Sequence, residues 1–150
     1  MKARIIATAM VVILTISIQS KAKEKNDPRG TFNEFIKAQN QHDLVLLSNL
    51  LLDSQDFLWI TKGLTIWGKD EAIKRFENLY KGTWTLDPDL ASLKIITLGK
   101  NSRQIFVPIT FSIGEKGQES KQIKFLMNMI LIKKSNSWKV ASILPIQSGN

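Results

Sequence analysis

Two short stretches after the N-terminal region carry apolar residues at helical spacing. Thr31 and Glu34 fit a capping box, which predicts a helix that begins at Thr31 and continues to about Gln39. Asp43 suits the N-cap of a second helix. The pattern therefore predicts two short helices that pack as a pair. Their apolar faces consist of Phe32, Phe35 and Ile36 in the first helix and Leu44, Leu47, Leu50 and Leu51 in the second.

The central stretch 57–84 concentrates the aromatic residues of the chain, with three of the four tryptophans and the only tyrosine. Its pattern predicts two short strands joined by a turn at Lys62-Gly63, followed by a helix that begins after Gly68. One face of this helix is apolar and the other is charged, so it should pack on the strands. The apolar face contains Ala72, Ile73, Phe76, Leu79 and Tyr80.

Beyond residues 86–91, which Pro88 marks as a loop, the hydrophobic period changes to two. Pro108 has no amide hydrogen, so its strand should lie at a sheet edge or carry a bulge there. Helices first and strands afterwards predict an α+β fold, with N-terminal helices packed on one strongly curved antiparallel sheet. The predicted strands cover 93–98, 104–113, 123–132 and 138–146.

The first 22 residues have the three parts of a secretory signal peptide. Basic residues precede an uncharged run over 5–18, and small residues at 20 and 22 suit signal peptidase. A retained anchor is the alternative, but the run is shorter than the roughly 20 residues that a bilayer span needs. We expect cleavage after Ala22, a flexible leader over 23–30 and a domain over 31–147. The mature protein would be exported, periplasmic or secreted, without stable membrane insertion.

Composition narrows the chemistry that the domain can perform. The chain has no cysteine, which excludes disulfides, thiolate metal sites and a cysteine nucleophile. Its formal net charge is +8, and loss of Lys2, Arg4 and Lys21 with the signal lowers that charge to +5. The basic residues are scattered, so nucleic acid is not an expected partner. With one histidine a histidine metal cluster is impossible, and we expect neither a metal nor a cofactor.

The strings GLTIWGKDEAIKRF and SWKVASILP, in this order of elements, resemble the NTF2-like superfamily, particularly its SnoaL-like and DUF4440-type small proteins. The resemblance covers 30–147. It implies a cone-shaped, cystatin-like α+β domain whose bent sheet encloses a cavity against the helices, and frequent homodimers through the outer sheet face. Family functions include isomerases, cyclases, dehydratases, binding proteins and oligomerisation modules. In ketosteroid-isomerase-like members a carboxylate base follows the first strand, whereas 59–62 contains no acid here, which argues against isomerase-type proton transfer.

Three side chains are weak candidates for catalysis. His42 is the only histidine, and its alternative role is that of a helix-boundary residue beside Asp43. Asp53 and Asp56 would become general bases if burial raised their pKa values, and otherwise they satisfy backbone groups of their loop. A paired acid and base are not visible in the sequence. We therefore leave the existence of an enzymatic reaction open and favour its absence.

The aromatic residues around the central helix predict the wall of a pocket for a small apolar or aromatic molecule. Asn128 interrupts an apolar strand, so we expect its amide to face the cavity or a dimer contact. Ligand binding is the preferred function. A SnoaL- or ketosteroid-isomerase-like enzyme and a homo-oligomeric interaction module with a filled cavity are the alternatives. The predicted ligand-binding residues are Trp59, Trp67, Phe76, Tyr80, Trp84 and Asn128.

Overall fold

The computed structural model describes residues 27–147, so the predicted signal peptide and residues 23–26 of the leader lie outside the described range. Within this range the chain forms three helices, α1 (Pro28–Gln41), α2 (Leu44–Leu50) and α3 (Lys69–Leu79). In the same residues, none of the helices has the length and apolar character that a bilayer crossing requires. The strands are β1 (Leu58–Thr61), β2 (Leu64–Trp67), β3 (Thr83–Pro88), β4 (Lys94–Gly99), β5 (Ser102–Gly114), β6 (Lys121–Lys134) and β7 (Ser137–Gln147).

Helix α1 begins at Pro28, earlier than the predicted start at Thr31. Oδ1 of Asp27 accepts a hydrogen bond of 2.6 Å from the Gly30 amide and caps the helix. Pro28 fits the first turn, where an amide hydrogen has no helical partner. The capping box of Thr31 and Glu34 is therefore wrong, and the helix includes residues 28–30 of the predicted leader.

Helix α2 has the predicted cap. Oδ1 of Asp43 accepts a hydrogen bond of 2.8 Å from the Leu46 amide. His42, between the two helices, has a left-handed backbone with φ of 54° and ends α1 where glycine is more usual. Leu47 in α2 and Leu51 directly after it are buried, so α2 packs its apolar face into the core.

The strands form one curved sheet in the order β2-β1-β7-β6-β5-β3, and β4 pairs with the other half of β5. Most neighbours are antiparallel, as predicted, but β1 and β7 are parallel. The sheet is therefore mixed, with one parallel pair that the predicted antiparallel arrangement did not include. Periodicity identifies hairpins between consecutive strands, whereas the pairing of β1 with β7 joins distant parts of the chain, as in Leu58 opposite Ser142.

The segment predicted as a loop at 86–91 begins inside strand β3, which pairs with β5 over 83–88. Strand β5 is not an edge strand, because β6 pairs with one side of it and β3 and β4 share the other side. Pro108 lies between the segments of β5 that β4 and β3 cover, and its carbonyl oxygen accepts a hydrogen bond from the Asp89 amide. The position without an amide hydrogen thus lies where β5 changes its partner strand from β4 to β3. A proline can occupy a strand interior at such a position.

The sheet presents one face to the helices and the other away from them. Successive residues of a strand point to opposite faces, so β5 and β6 contribute alternate side chains to the core. The inward side chains, each at most 3% exposed, are Ile105, Val107, Ile109, Met127, Met129 and Leu131. This packing of helices on one face of a sheet confirms the predicted α+β fold class. Half-buried residues on the opposite, outer face include Phe106, Leu126, Asn128, Ile130 and Leu144.

Candidate ligand-binding cavity

A cavity of about 390 Å³ lies between the helices and the inner face of the sheet. Helix α1 contributes one wall, α3 and β1 a second, and β3, β5, β6 and β7 the remainder. Its volume is within the range of about 300–1,000 Å³ that is typical of small-molecule sites. The large apolar side chains that line it include Phe35, Trp59, Phe76, Trp84, Leu86 and Phe111.

The aromatic rings of the wall pack in defined geometries. Trp59 stacks on Phe76 with ring centroids 4.0 Å apart and planes 8° from parallel. Trp84 meets Trp59, Phe76 and Phe111 edge to face at centroid distances of 6.4, 5.9 and 4.6 Å. The edge-to-face arrangements around Trp84 are ones that aromatic quadrupoles favour. The rings therefore hold one another in place around the cavity.

Gln39 is a cavity residue that the sequence analysis missed. Its side chain is fully buried, and its Oε1 accepts hydrogen bonds from Trp84 Nε1 at 2.7 Å and from the Tyr80 hydroxyl at 3.0 Å. Its Nε2 is buried and has no hydrogen-bond partner within the described residues. The available signal was position, since Gln39 follows Phe35 by four residues and shares its core-facing stripe.

Tyr80 and His42 lie next to the Gln39 side chain and help to fix its position, although neither residue lines the cavity. Burial, with a smaller contribution from the charge of Asp43, raises the pKa of Tyr80, so its hydroxyl stays protonated and donates to Gln39. The His42 ring stacks on Tyr80 at 4.5 Å, and its Nε2 donates to the Trp84 carbonyl oxygen at 3.1 Å. His42 therefore joins the end of α1 to β3 and is not among the residues that line the cavity.

Exposed residues form the rim of the cavity, and two of them, Lys62 and Lys124, are cationic. Lys62 and Gly63 have φ of 47° and 77°, as a two-residue type I′ hairpin turn requires. This turn confirms the predicted reversal between β1 and β2 and fixes one lysine at the rim. Neither carboxylates nor histidine occur among the described residues that line the cavity.

The acidic candidates for catalysis lie elsewhere. Asp53 and Asp56 occupy the loop between α2 and β1 and are exposed. Asp53 forms an ion pair with Lys69 at 3.0 Å, and the Asp56 amide donates to the Ser54 hydroxyl within the same loop. In residues 27–147 there is no group of His, Asp and Glu side chains arranged to hold a metal ion.

Three predicted ligand-binding residues, Trp59, Phe76 and Trp84, line the cavity, whereas Tyr80 reaches it only through Gln39. Trp67 requires a correction. It pairs with Leu58 across the hairpin, one position from the pair formed by Ile66 and Trp59, so its side chain points to the opposite face from that of Trp59. Trp67 is 56% exposed and lies outside the cavity.

Asn128 also lies outside the cavity. It is on the outer face of the sheet between Phe106 and Leu144, and its Oδ1 accepts a hydrogen bond of 3.0 Å from Gln104 Nε2. Even-numbered residues of this part of β6 face outward, because Met127 and Met129 face the core. The expectation that its amide faces the cavity is wrong, and a dimer contact is the alternative that fits its position.

Neither the protein-family models nor the sequences of curated proteins match this chain. Solved structures match its fold. An NTF2-like superfamily protein from Salmonella enterica serovar Typhimurium has a TM-score of 0.75 and 14% identity, over 87% of this chain and 94% of that one. An NTF2-like protein of unknown function in nutrient uptake from Rhodospirillum rubrum has a TM-score of 0.70 and 16% identity, over 82% of this chain and 99% of that one.

A protein with a cystatin-like fold from Caulobacter vibrioides has a TM-score of 0.68 and 9% identity, over 81% of this chain and 87% of that one. Identities this low carry the fold and nothing about a site. The chain has the α+β fold of NTF2-like and cystatin-like proteins, with N-terminal helices on a curved mixed sheet.

Proposed function

We propose that this domain binds a small apolar or aromatic molecule in the cavity between the helices and the inner face of the sheet. The cavity is the observation that supports the proposal. It is an open concave site of about 390 Å³ lined mainly by large aromatic and aliphatic side chains, which is the usual form of a small-molecule site. An apolar ligand would supply the dispersion contacts that these side chains lack on the cavity side.

Binding ranks before an isomerase, cyclase or dehydratase activity because of the side chains that reach the cavity. General acid-base catalysis needs a base within hydrogen-bond reach of the substrate. Among residues 27–147, the ionisable residues that line the cavity are Lys62 and Lys124, both at the rim, and Lys124 lies between inward-facing neighbours on β6, so its side chain points to the outer face. An interaction module with a filled cavity ranks lower, since side chains leave this cavity open.

Two finer assignments belong to the same proposal. A SnoaL-like or DUF4440-type subtype is supported by the residues Gly63 to Ile73 and by the closing strand motif Trp138-Lys139-Val140. Export is supported by the signal-peptide pattern of the first 22 residues. Mass spectrometry of the native protein should find an N-terminus near Lys23, and an intact Met1 on a membrane-bound form would contradict export.

The test of binding uses N-phenyl-1-naphthylamine, a neutral aromatic probe whose emission rises in apolar surroundings. We expect saturable emission on titration and thermal stabilisation equivalent to about 2.7 kcal/mol at a probe concentration near 100 times Kd. The variant Ile123→Trp adds bulk at the cavity rim, where the native side chain is 45% exposed, and should abolish both signals.

The matched control is Ile96→Trp, because Ile96 is also a strand isoleucine, 42% exposed, but lies outside the cavity. The control should bind like the unmodified protein. Equal binding of the probe by both variants would show that the probe binds outside this cavity. Absence of binding across a varied panel of apolar aromatic molecules would overturn the proposed function.

A further inference from the structure

The polar group of greatest consequence in the cavity is the side chain of Gln39. Residues 27–147 contain three buried side-chain polar atoms without a hydrogen-bond partner: Gln39 Nε2, Arg75 Nε and Ser142 Oγ. Of the three residues, only Gln39 lines the cavity. A buried donor without an acceptor costs about 1–3 kcal/mol, so its retention at this position needs an explanation.

Neighbouring donors fix which end of the Gln39 amide is the donor. An indole nitrogen can only donate, so the atom 2.7 Å from Trp84 Nε1 must be the amide oxygen. The Tyr80 hydroxyl donates to the same oxygen at 3.0 Å. Turning the amide over would place its NH₂ group against the indole N–H, and the resulting contact between two donors would be repulsive. Nε2 is therefore the donor that remains.

We propose that Gln39 Nε2 donates a hydrogen bond to an acceptor oxygen of the ligand, so that the cavity selects apolar molecules carrying a carbonyl-type oxygen over hydrocarbons of the same shape. This inference rests on the proposed binding function. The wall around it is mainly aromatic and aliphatic, and the other polar lining residues, such as Thr61 and Gln147, are not buried, so Gln39 is the buried polar group that orients the bound molecule. The ligand class is a ketone, ester, amide or acid with an apolar body.

The test compares two probes that differ in a single non-hydrogen atom. 2-Acetylnaphthalene carries a carbonyl oxygen where 2-isopropenylnaphthalene carries a CH₂ group, and each is titrated by displacement of N-phenyl-1-naphthylamine. The variants are Gln39→Met and, as a matched control, Gln104→Met on the outer sheet face. The ratio of the two Kd values cancels their different solubilities when proteins are compared.

We expect Gln39→Met to lower the relative preference for the ketone by about five- to tenfold, as the loss of one hydrogen bond predicts. Gln104→Met should leave the ratio unchanged. An identical ratio in all three proteins, with both probes bound, would overturn this inference and leave the binding function intact. Failure of both probes and of N-phenyl-1-naphthylamine to bind would overturn the two proposals together.

A measurement on the unmodified protein covers the case in which Gln39→Met does not fold, since that change removes the acceptor of Trp84 and Tyr80. The infrared carbonyl stretch of bound, carbonyl-labelled 2-acetylnaphthalene should shift to lower frequency than in an alkane solvent. A stretch at the alkane frequency would show a carbonyl without a donor and would overturn the inference.

Discussion

The indole ring of Trp59 stacks on the phenyl ring of Phe76 at a centroid distance of 4.0 Å, and the contact joins β1 to α3. Both residues are at most 3% exposed. We expect Trp59→Ala to lower the free energy of unfolding by about 3–5 kcal/mol in urea denaturation, because it removes a large buried side chain. Trp67→Ala, on the exposed face of the same hairpin, should change stability by about 0.5 kcal/mol. Similar losses in the two variants would contradict the assignment of faces.

Lys62 at the rim predicts a preference for anionic ligands. 1-Anilinonaphthalene-8-sulfonate differs from N-phenyl-1-naphthylamine by one sulfonate group, so the pair isolates the effect of charge. Lys62→Asn removes the charge and introduces a residue type that tolerates the left-handed turn. The change should weaken binding of the sulfonate up to about fivefold and leave binding of the neutral probe unaffected, as expected for an exposed charge.

Lys134→Gln, on an exposed residue remote from the cavity lining, is the control for loss of net charge. It should affect neither probe. Added salt should weaken binding of the sulfonate in the unmodified protein by screening Lys62. If Lys134→Gln reduced sulfonate binding as much as Lys62→Asn does, the effect would belong to the net charge of the protein and not to the rim.

Tyr80 predicts a loss of stability at alkaline pH. Burial raises its pKa, so the folded state holds the phenolic proton more tightly than the unfolded chain does. The stability that this contributes is complete below about pH 10 and declines as the pH rises above that value. Because Tyr80 is the only tyrosine, the ultraviolet absorption of tyrosinate reports its ionisation directly. Titration of the folded protein at the ordinary tyrosine pKa would contradict the prediction, and Tyr80→Phe should remove the corresponding part of the alkaline decline.

The outer face of the sheet predicts association of two copies through that face. It carries half-buried Phe106, Leu126, Ile130 and Leu144 around Asn128, an apolar surface that monomers rarely leave open. We propose a homodimer, and Ile130→Lys should shift a sedimentation or sizing measurement toward monomer or cause precipitation. Val45→Lys, at a 75% exposed position on α2, should have neither effect. An unchanged mass for Ile130→Lys would remove this proposal.

Local features of the fold could be predicted from the sequence because local chemistry determines them. Lys62-Gly63 and Ser135-Asn136 both have positive φ, and the second residue of each pair, Gly63 or Asn136, is of a type that tolerates the left-handed backbone of tight hairpins. Asp43 caps α2 through its own side chain. Strand β3 was missed because Pro88, between two aspartates, resembles a loop, although it takes the last position of the strand.

The cavity was predictable in its aromatic content and not in its polar contact. Strands β1 and β2 are four residues long, too short for alternation to show which face Trp67 takes. The sequence pattern marks Gln39 only as the approximate end of the first helix, because the role of a polar residue at a core position becomes apparent only when its hydrogen-bond partners are known. Those partners, Trp84 and Tyr80, are more than forty positions away, beyond the reach of any local pattern.

The parallel pairing of β1 with β7 has a consequence for the order in which the domain can form. Of the described strands β7 is synthesised last, yet it covers one side of β1 and supplies Ile143 and Pro145 to the cavity wall. A nascent chain that ends at β6 would carry an unpaired edge on β1 and an incomplete cavity. Pairings between distant segments also form slowly, because the intervening chain must first be ordered. Under the proposed export, this delay would keep the domain unfolded during translocation, and the cavity would close only after β7 had crossed.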